Sequence, residues 1–311
     1  MKTNISLILI LCLLLGACKN GNASSQSKSE TPQDTIKAIK MPAIPQMMTA
    51  PEQRADFLAK HYWDNVNFAD TNYIHHPEVT EQAWADYCDL LNHVPLETAQ
   101  QAMRNVIDRT NVDKKVFTYI TDLADKYLYD PNSPMRNEEF YIPVLEAMIA
   151  SPVLNETEKI RPQARLKLAQ KNRIGTKALN FTYTLASGAQ GSLYQLKAEY
   201  LLLFINNPGC QACTETIEGL KNAPIINQLL QEKKLALLSI YPDEELDEWK
   251  KHLSEFPNEW INGYDKKFTI KEEQVYDLKA IPTLYLLDKD KTVLLKDATA
   301  PAIEAYLMQH Q

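Results

Sequence analysis

The sequence predicts a two-domain α+β/α/β protein in which a small all-α domain, residues 46–171, precedes a mixed α/β domain, residues 172–311. Two observations predict this division. In the first part, apolar residues recur at the i, i+3, i+4, i+7 spacing that places them on one face of a helix. In the second part, short continuous apolar runs alternate with amphipathic segments, which is typical of buried strands joined by helices.

Several successive helices are predicted for the first domain. Their apolar stripes include Trp84, Tyr87, Cys88 and Leu91, then Leu96, Ala99, Met103 and Val106, and then Val116, Ile120, Leu123 and Tyr127. The segment Thr49-Ala50-Pro51-Glu52 predicts a capping-box start for the first helix, and Asn155-Glu156-Thr157-Glu158 predicts the cap of the last one. The sequence has no repeat of the tetratricopeptide kind, so we expect a small helical domain.

A βαβ unit joined to a ββα unit is predicted for the second domain. Continuous apolar runs predict strands at 200–205 and 235–240, and strands at 283–287 and 292–295 flank a polar turn. Helices are predicted at 211–220, 224–232, 244–256 and 301–309. A further strand at 180–185, followed by the turn Ser187-Gly188, precedes this unit.

The N-terminal residues predict export from the cytoplasm. Lys2 and the apolar run 5–15 fit a signal peptide, because the run is too short to span a bilayer permanently. The run ends in Leu15-Gly16-Ala17-Cys18, which resembles the lipobox of bacterial lipoproteins. The resemblance implies that a signal peptide, residues 1–17, is removed and that Cys18 carries lipid. An ordinary signal peptide and an uncleaved anchor are the alternatives.

Residues 18–45 are predicted to be a flexible tether, since the stretch after Cys18 is rich in Ser, Asn, Gln and Lys and has too little apolar content to fold. Several acyl chains on Cys18 would hold the protein stably at the lipid bilayer. Some lipoproteins carry acidic residues directly after the lipidated cysteine as a surface-export signal. Here the first acid is Glu30, which favours a lipid-anchored position in the cell envelope facing the periplasm.

The net charge and the number and spacing of the cysteines limit the functions that the protein can have. The formal net charge is −7 and no sustained basic stripe is present, so nucleic acid is excluded as a partner. Of the five cysteines, Cys12 would leave with the expected signal peptide and Cys18 would be lipidated. One closely spaced pair and the lone Cys88 are left, which is not the pattern of a disulfide-stapled scaffold. The pair is therefore expected to be chemically reactive rather than to stabilise the fold as a structural disulfide.

That pair is Cys210-Gln211-Ala212-Cys213, and it comes directly after a predicted buried strand, at the start of a helix. The N–H groups and the positive end of the helix dipole favour the thiolate of Cys210. Cys213, one turn later, is placed to attack a mixed disulfide formed at Cys210. Half of a zinc site is one alternative, but no second C-x-x-C or His pair follows to complete four ligands. A buried structural disulfide is the other alternative.

The segment Ala280-Ile281-Pro282-Thr283, just before a predicted strand, resembles the cis-proline loop of the thioredoxin superfamily. The resemblance covers 172–311 and is greatest to the membrane-associated periplasmic branch that includes the TlpA and ResA thiol-disulfide oxidoreductases. It implies a thioredoxin-like fold with an N-terminal hairpin extension. It also implies that Pro282 packs against the cysteine pair and that Ile281 binds substrate backbone, as in strand addition. A trans proline opening an edge strand is the alternative. The helical part resembles uncharacterised N-terminal domains of such lipoproteins and implies no activity.

The chain departs from the family pattern near the cysteines. Gly209 stands where a Trp often precedes the first Cys, and Phe204 stands where thioredoxin has a buried acid that assists the resolving thiol. Gln211-Ala212 lacks the His that stabilises strongly oxidising thiolates. The resemblance therefore implies a reductase rather than an oxidase, with proton handling left to water or another carboxylate.

Two functional hypotheses follow. The first is a lipid-tethered thiol–disulfide oxidoreductase of the periplasm, with Cys210 as nucleophile and Cys213 as resolving thiol. It would act on protein disulfides and draw electrons from a membrane donor of thiol type, with no bound cofactor; copper delivery or preparation of a haem-attachment site would be variants. The second is a non-catalytic interaction lipoprotein built on a thioredoxin-like scaffold. Cys88 is expected in the core, and no metal site is expected because no His pair has helical ligand spacing.

Overall fold

The structure is a computed structural model that describes residues 38–310. The proposed signal peptide 1–17, the proposed lipidation site Cys18 and tether residues 18–37 lie outside the described residues. Within the described range, no helix is both long enough and apolar enough to cross a membrane.

Six helices form the first part of the described chain. They are α1 (Pro51–His61), α2 (Pro77–Leu91), α3 (Leu96–Arg109), α4 (Lys114–Ala124), α5 (Glu138–Ala150) and α6 (Glu156–Ala169). Short 3-10 turns at Thr71–His75 and Thr110–Val112 and a π-helical turn at Asp125–Tyr129 connect them. The helical prediction for this part is confirmed.

Side-chain caps start several of these helices. The predicted capping box at Asn155 and Glu158 is present at the start of α6. The predicted box at the start of α1 is wrong, because the cap position falls on Ala50, which has no side chain to bond. The helix starts at Pro51 because the fixed φ of proline suits the first turn and its missing N–H needs no cap. Thr49 therefore lies one residue too early to act.

The predicted apolar stripes meet in one core, with one exception: Leu96, the first residue of α3, is 47% exposed and does not belong to it. Its most completely buried side chains include Trp84, Tyr87, Leu91, Met103, Ile107, Phe117, Leu128, Tyr141 and Leu145. Cys88 belongs to this core at 2% exposure, and burial raises the pKa of its thiol to about 12. A thiol that is buried and protonated at neutral pH is a poor nucleophile, so the core role expected for Cys88 is confirmed.

Seven strands form one mixed sheet in the second part. They are β1 (Thr182–Leu185), β2 (Gln190–Ser192), β3 (Tyr200–Ile205), β4 (Leu235–Tyr241), β5 (Ile261–Tyr264), β6 (Thr283–Asp288) and β7 (Val293–Lys296), in the spatial order β2-β1-β5-β4-β3-β6-β7. The helices are α7 (Gln211–Lys221), α8 (Pro224–Gln231), α9 (Leu246–His252), α10 (Thr269–Glu272) and α11 (Ala300–Gln309).

Strand β3 runs parallel to β4 and antiparallel to β6, which gives the expected βαβ and ββα units. Its side chains are buried on both faces: Leu202 and Phe204 face α7, α8 and α11, whereas Leu201 and Leu203 face the opposite core. The expected N-terminal hairpin is β1 and β2. Strand β5 was not predicted, and the helix expected at 244–256 is shorter, because a 3-10 turn replaces its last residues.

Candidate active site

The cysteine pair lies at the edge of the sheet where strand β3 ends. After β3 ends at Ile205, a short loop leads to Cys210, which is the N-cap residue of α7. Gly209 in this loop has φ +72°, a left-handed conformation that favours glycine. No atom lies within 4 Å of an added Cβ, so backbone conformation rather than space accounts for glycine here.

The sulfur of Cys210 lies at the start of the helix and accepts a hydrogen bond. The backbone N–H of Cys213 donates to Cys210 Sγ at 3.3 Å, and the carbonyl of Cys210 accepts from the N–H of Thr214 at 3.0 Å. Cys210 is partly exposed and both cysteines of the motif are free thiols. A donor directed at the sulfur, together with the helix dipole, stabilises the thiolate.

Cys213 occupies a different environment one turn further along. It is 2% exposed, and burial, with a smaller contribution from the hydrogen bond to Cys210, raises the pKa of its thiol to about 12. The nearby backbone of Asn207 acts in the opposite sense and lowers that pKa. At neutral pH Cys213 is therefore held as a protonated thiol behind the more accessible Cys210.

The Ile281–Pro282 peptide bond is cis, and the loop that contains it lies beside Cys210. Cys210 Sγ is 3.7 Å from the carbonyl oxygen of Ile281, within reach of a thiol donor. Thr283 begins β6 opposite Ile205 of β3, and its hydroxyl donates to the Ala280 carbonyl at 2.6 Å. Strand pairing thus brings the two predicted halves of the site together from positions 71 residues apart.

Aromatic packing occupies the position of thioredoxin's buried acid. Phe204 is fully buried and packs edge-on against Trp260, with ring centroids 6.3 Å apart. One residue beyond β3, buried Asn206 donates to Ser239 Oγ at 2.8 Å. The hydrogen-bonding groups that act on the Cys213 thiol are Cys210 and the backbone of Asn207.

Sequence reasoning missed the part played by the acidic run after β4. Asp243 accepts from Asn207 Nδ2 at 3.1 Å and from Lys271 Nζ at 2.6 Å. Asp243 therefore holds the loop that leads to Cys210 against the segment that follows β4. The signal that could have found it is the position of Asp243 just after β4, since parallel strands end at the same edge.

A cleft of about 500 Å³ opens beside the cis-proline loop. One side is formed by the outer face of α7, the loop itself and the start of α11; the other side comes from the helical part of the chain. The thioredoxin-like side includes Ala212, Glu215, Gly219, Ile281, Pro282, Leu284, Ala298 and Ala300, and the helical side consists of Pro131, Asn132 and Arg136.

Buried ion pairs join the two parts next to this cleft. Glu138, at the start of α5, accepts from Lys279 Nζ at 3.1 Å and pairs with Lys296. Asp277 and Asp297 also pair with Lys279, at 3.2 and 3.4 Å. Burial alone would lower the pKa of Lys279, but these three carboxylates outweigh it and raise the pKa above its usual value. Three carboxylates therefore face two ammonium groups inside the interface, and each ammonium group has at least one carboxylate partner.

Among residues 38–310, no group of three or more His, Cys, Asp or Glu side chains is arranged to hold a metal ion.

The sheet, the cysteine pair at the helix start and the adjacent cis-proline loop together define a protein of the thioredoxin-like class.

Comparison with known proteins gives the family. Residues 17–172 match the family described as a domain of unknown function (DUF5106), and residues 198–293 match a thioredoxin-like family. The chain is 84% identical to a thioredoxin-like protein from Bacteroides caccae of known crystal structure, with a TM-score of 0.87; the match covers 89% of this chain and 100% of that one. The chain therefore belongs to the DUF5106 family and carries a C-terminal thioredoxin-like domain.

Two other solved structures match the C-terminal part. The C-terminal domain of an uncharacterized protein from Bacteroides fragilis is 69% identical, over 44% of this chain and 98% of that one, with a TM-score of 0.44. A domain of a possible thiol-disulfide isomerase from Cytophaga hutchinsonii is 23% identical, over 45% and 95%, with a TM-score of 0.38. No curated protein matches the chain.

Proposed function

We propose that this protein is a thiol–disulfide oxidoreductase that reduces protein disulfides, with Cys210 as nucleophile and Cys213 as resolving thiol. The observation that carries the proposal is the unequal placement of the two sulfurs. Cys210 is partly exposed, and its Sγ accepts the N–H of Cys213 and lies beside the Ile281 carbonyl, whereas Cys213 is buried. An accessible sulfur with a stabilised thiolate and a protected second thiol is the arrangement that stepwise exchange requires.

The reaction proceeds in two exchanges. The Cys210 thiolate attacks one sulfur of the substrate disulfide, the substrate S–S bond breaks, and the departing substrate thiolate takes up a proton. Cys213 then loses its proton and attacks the sulfur of Cys210, which forms the Cys210–Cys213 disulfide and releases the second substrate thiol. Two electrons pass to the substrate, and a thiol-type donor must return two electrons and two protons to the oxidised pair.

The substrate is held by the loop around Pro282. Among the described residues, the backbone N–H of Ile281 has no hydrogen-bond partner, so it is available to an extended segment alongside it. Main-chain bonds of this kind align a substrate disulfide with little demand on its sequence. In this assignment Ile281 and Pro282 bind substrate and do not take part in electron transfer.

The proposal also covers the location of the protein in the cell and the division of its chain into segments. Lys2, the apolar run and Cys18 support a lipid-anchored protein facing the periplasm, with residues 18–45 as tether. The division into 46–171 and 172–311 is part of the proposal; it falls just after α6, where the side chain of Asn172 donates to the Val275 carbonyl at 2.7 Å.

Reaction of the reduced full-length protein with a disulfide-linked peptide tests the proposal. We expect the protein to lose two hydrogens by mass spectrometry, peptide mapping to find Cys210 joined to Cys213, and two peptide thiols to appear for each protein oxidised. A protein that stays reduced with every disulfide offered would contradict the enzyme hypothesis and favour a non-catalytic interaction module.

A further inference from the structure

The helical part of the chain forms one wall of the cleft beside the dithiol. Pro131, Asn132 and Arg136 face the outer side of α7 and the cis-proline loop across a space of about 500 Å³. This volume falls within the range of about 300–1,000 Å³ that is typical of ligand pockets. A thioredoxin-like domain by itself would leave this side of its substrate site open.

The wall is held by its own hydrogen bonds. The Asp130 carboxylate accepts from the N–H of Asn132 at 2.8 Å, and the Asp130 carbonyl accepts from the N–H of Ser133 at 3.0 Å. The hydroxyl of Ser133 donates to the Tyr127 carbonyl at 2.6 Å, and the Ser133 carbonyl accepts from the N–H of Arg136 at 3.2 Å. A loop with this many internal bonds keeps its shape when a ligand arrives, which lowers the entropic cost of binding.

The wall is also fixed against the thioredoxin-like domain. Arg136 Nη2 donates to the Asp297 carbonyl at 2.6 Å, and Glu138, two residues further on, enters the buried ion cluster with Lys279 and Lys296. Lys279 directly precedes the Ala280-Ile281-Pro282 loop. The same contacts that dock the helical part therefore set the distance between the wall and the substrate loop.

The chemistry of the cleft indicates what enters it. Its thioredoxin-like side is made mainly of small and apolar residues, with Glu215 and Asp297 as its two charged members, and Arg136 supplies an opposite charge on the wall. Cys210 does not line the cleft, but its sulfur is 3.7 Å from the carbonyl of Ile281, which does. A substrate joined to Cys210 would therefore place the residues next to its own cysteine inside the cleft.

We propose that the helical domain is a specificity element of the active site: through Asn132 and Arg136 it makes the enzyme select extended polypeptide disulfides with uncharged residues beside the cysteine over small disulfides. This inference rests on the proposed reductase function. A small disulfide reaches Cys210 without entering the cleft, whereas a polypeptide gains contacts with both walls. The ratio of the two rate constants therefore measures what the helical wall contributes.

Two full-length variants test the proposal. Asn132→Trp fills the cleft from an exposed position, and Arg136→Ala removes the guanidinium from the wall. The matched controls are Asn65→Trp and Arg54→Ala, which change the same residue types at exposed positions away from the cleft. Arg54, like Arg136, donates to a backbone carbonyl, that of Met48 at 3.3 Å. Circular dichroism confirms folding of all four variants.

The measurement is the second-order rate constant for oxidation of the reduced protein by two probes. One probe is a disulfide-linked peptide with leucine on both sides of its cysteine, and the other is bis(2-hydroxyethyl) disulfide. We expect the peptide-to-small ratio to fall by at least about fivefold, or about 1 kcal/mol, in Asn132→Trp and in Arg136→Ala, and to stay at the wild-type value in the controls.

Three outcomes would count against these ideas in distinguishable ways. An unchanged ratio in both wall variants would overturn the specificity role. Equal losses with both probes would also overturn it, because the wall would then act on the dithiol rather than on recognition. Wild-type protein that reacts with neither probe would instead contradict the proposed reductase function itself.

Discussion

The backbone N–H of Cys213 donates to the sulfur of Cys210 at 3.3 Å, so the deeper cysteine stabilises negative charge on the outer one. Burial at the same time raises the pKa of the Cys213 thiol to about 12. One motif thus contains a partly exposed sulfur that accepts a hydrogen bond and a buried, protonated sulfur. The proposed assignment of the two cysteines to successive steps rests on this difference.

Alkylating reagents should modify Cys210 before Cys213. We expect iodoacetamide to label Cys210 at least about tenfold faster than Cys213 near neutral pH, because only the thiolate reacts and Cys213 is buried and protonated. Labelling of Cys213 should rise about tenfold for each pH unit while the pH stays below its raised pKa. Peptide mapping by mass spectrometry measures both rates, and faster labelling at Cys213 would reverse the roles.

Glu138 should stabilise the folded protein strongly. Glu138→Gln removes the one carboxylate that, among the described residues, pairs with buried Lys296, whereas Lys279 keeps Asp277 and Asp297. Because a buried ammonium group then loses its ionic partner, we expect a loss of about 3–5 kcal/mol in the free energy of unfolding. The control Glu156→Gln breaks an exposed pair with Lys159 and should change stability by less than about 0.5 kcal/mol. Urea unfolding compares the two, and equal effects would contradict the importance of the buried cluster.

Alanine substitution at Gly209 and at Gly219 should change the stability of the folded protein in opposite directions. Gly209→Ala forces a side chain into the left-handed conformation at φ +72° and should destabilise the protein by about 1 kcal/mol. Gly219→Ala lies inside α7, where the added Cβ would meet only Ala300 Cβ at 3.8 Å, and should stabilise by about 0.5–1 kcal/mol. Thermal unfolding measures the change in stability of each variant, and a change of the same sign in both would contradict this expectation.

An acid should not be tolerated at Phe204. Phe204→Asp places an unpaired carboxylate in the fully buried core against Trp260 and should lower the free energy of unfolding by at least about 3 kcal/mol. Phe204→Leu, which stays apolar, should lower it by about 1 kcal/mol. Denaturant unfolding measures both. A stable aspartate variant would mean that this site accommodates thioredoxin's buried acid after all.

Local patterns were sufficient to predict most of the fold. The apolar runs of β3 and β4 and the stripe around Trp84 carry strong periodic signals, and those elements form where they were expected. Strand β5 was missed because Asn262 and Gly263 interrupt its apolar pattern. It forms because parallel pairing with β4 satisfies its backbone, and Tyr183 packs closely over Gly263.

The site could be predicted only in part. The spacing of Cys210 and Cys213 and the Ile281–Pro282 segment identified its two halves, because each has a local signature. The contact between Glu138 and Lys279 has none, since 141 residues separate them and either side chain alone resembles an ordinary surface charge. The wall formed by Asn132 and Arg136 was missed for the same reason.

Mixed-disulfide trapping tests the central assignment most directly. Full-length Cys213→Ser and Cys210→Ser, each reduced and offered a disulfide-linked peptide, are compared by nonreducing gel shift and peptide mapping. We expect Cys213→Ser to accumulate peptide on Cys210, because capture proceeds and resolution cannot. We expect Cys210→Ser to capture little, because the thiols of Cys88 and Cys213 are both buried. Equal trapping by the two variants, or preferential trapping on Cys213, would contradict it.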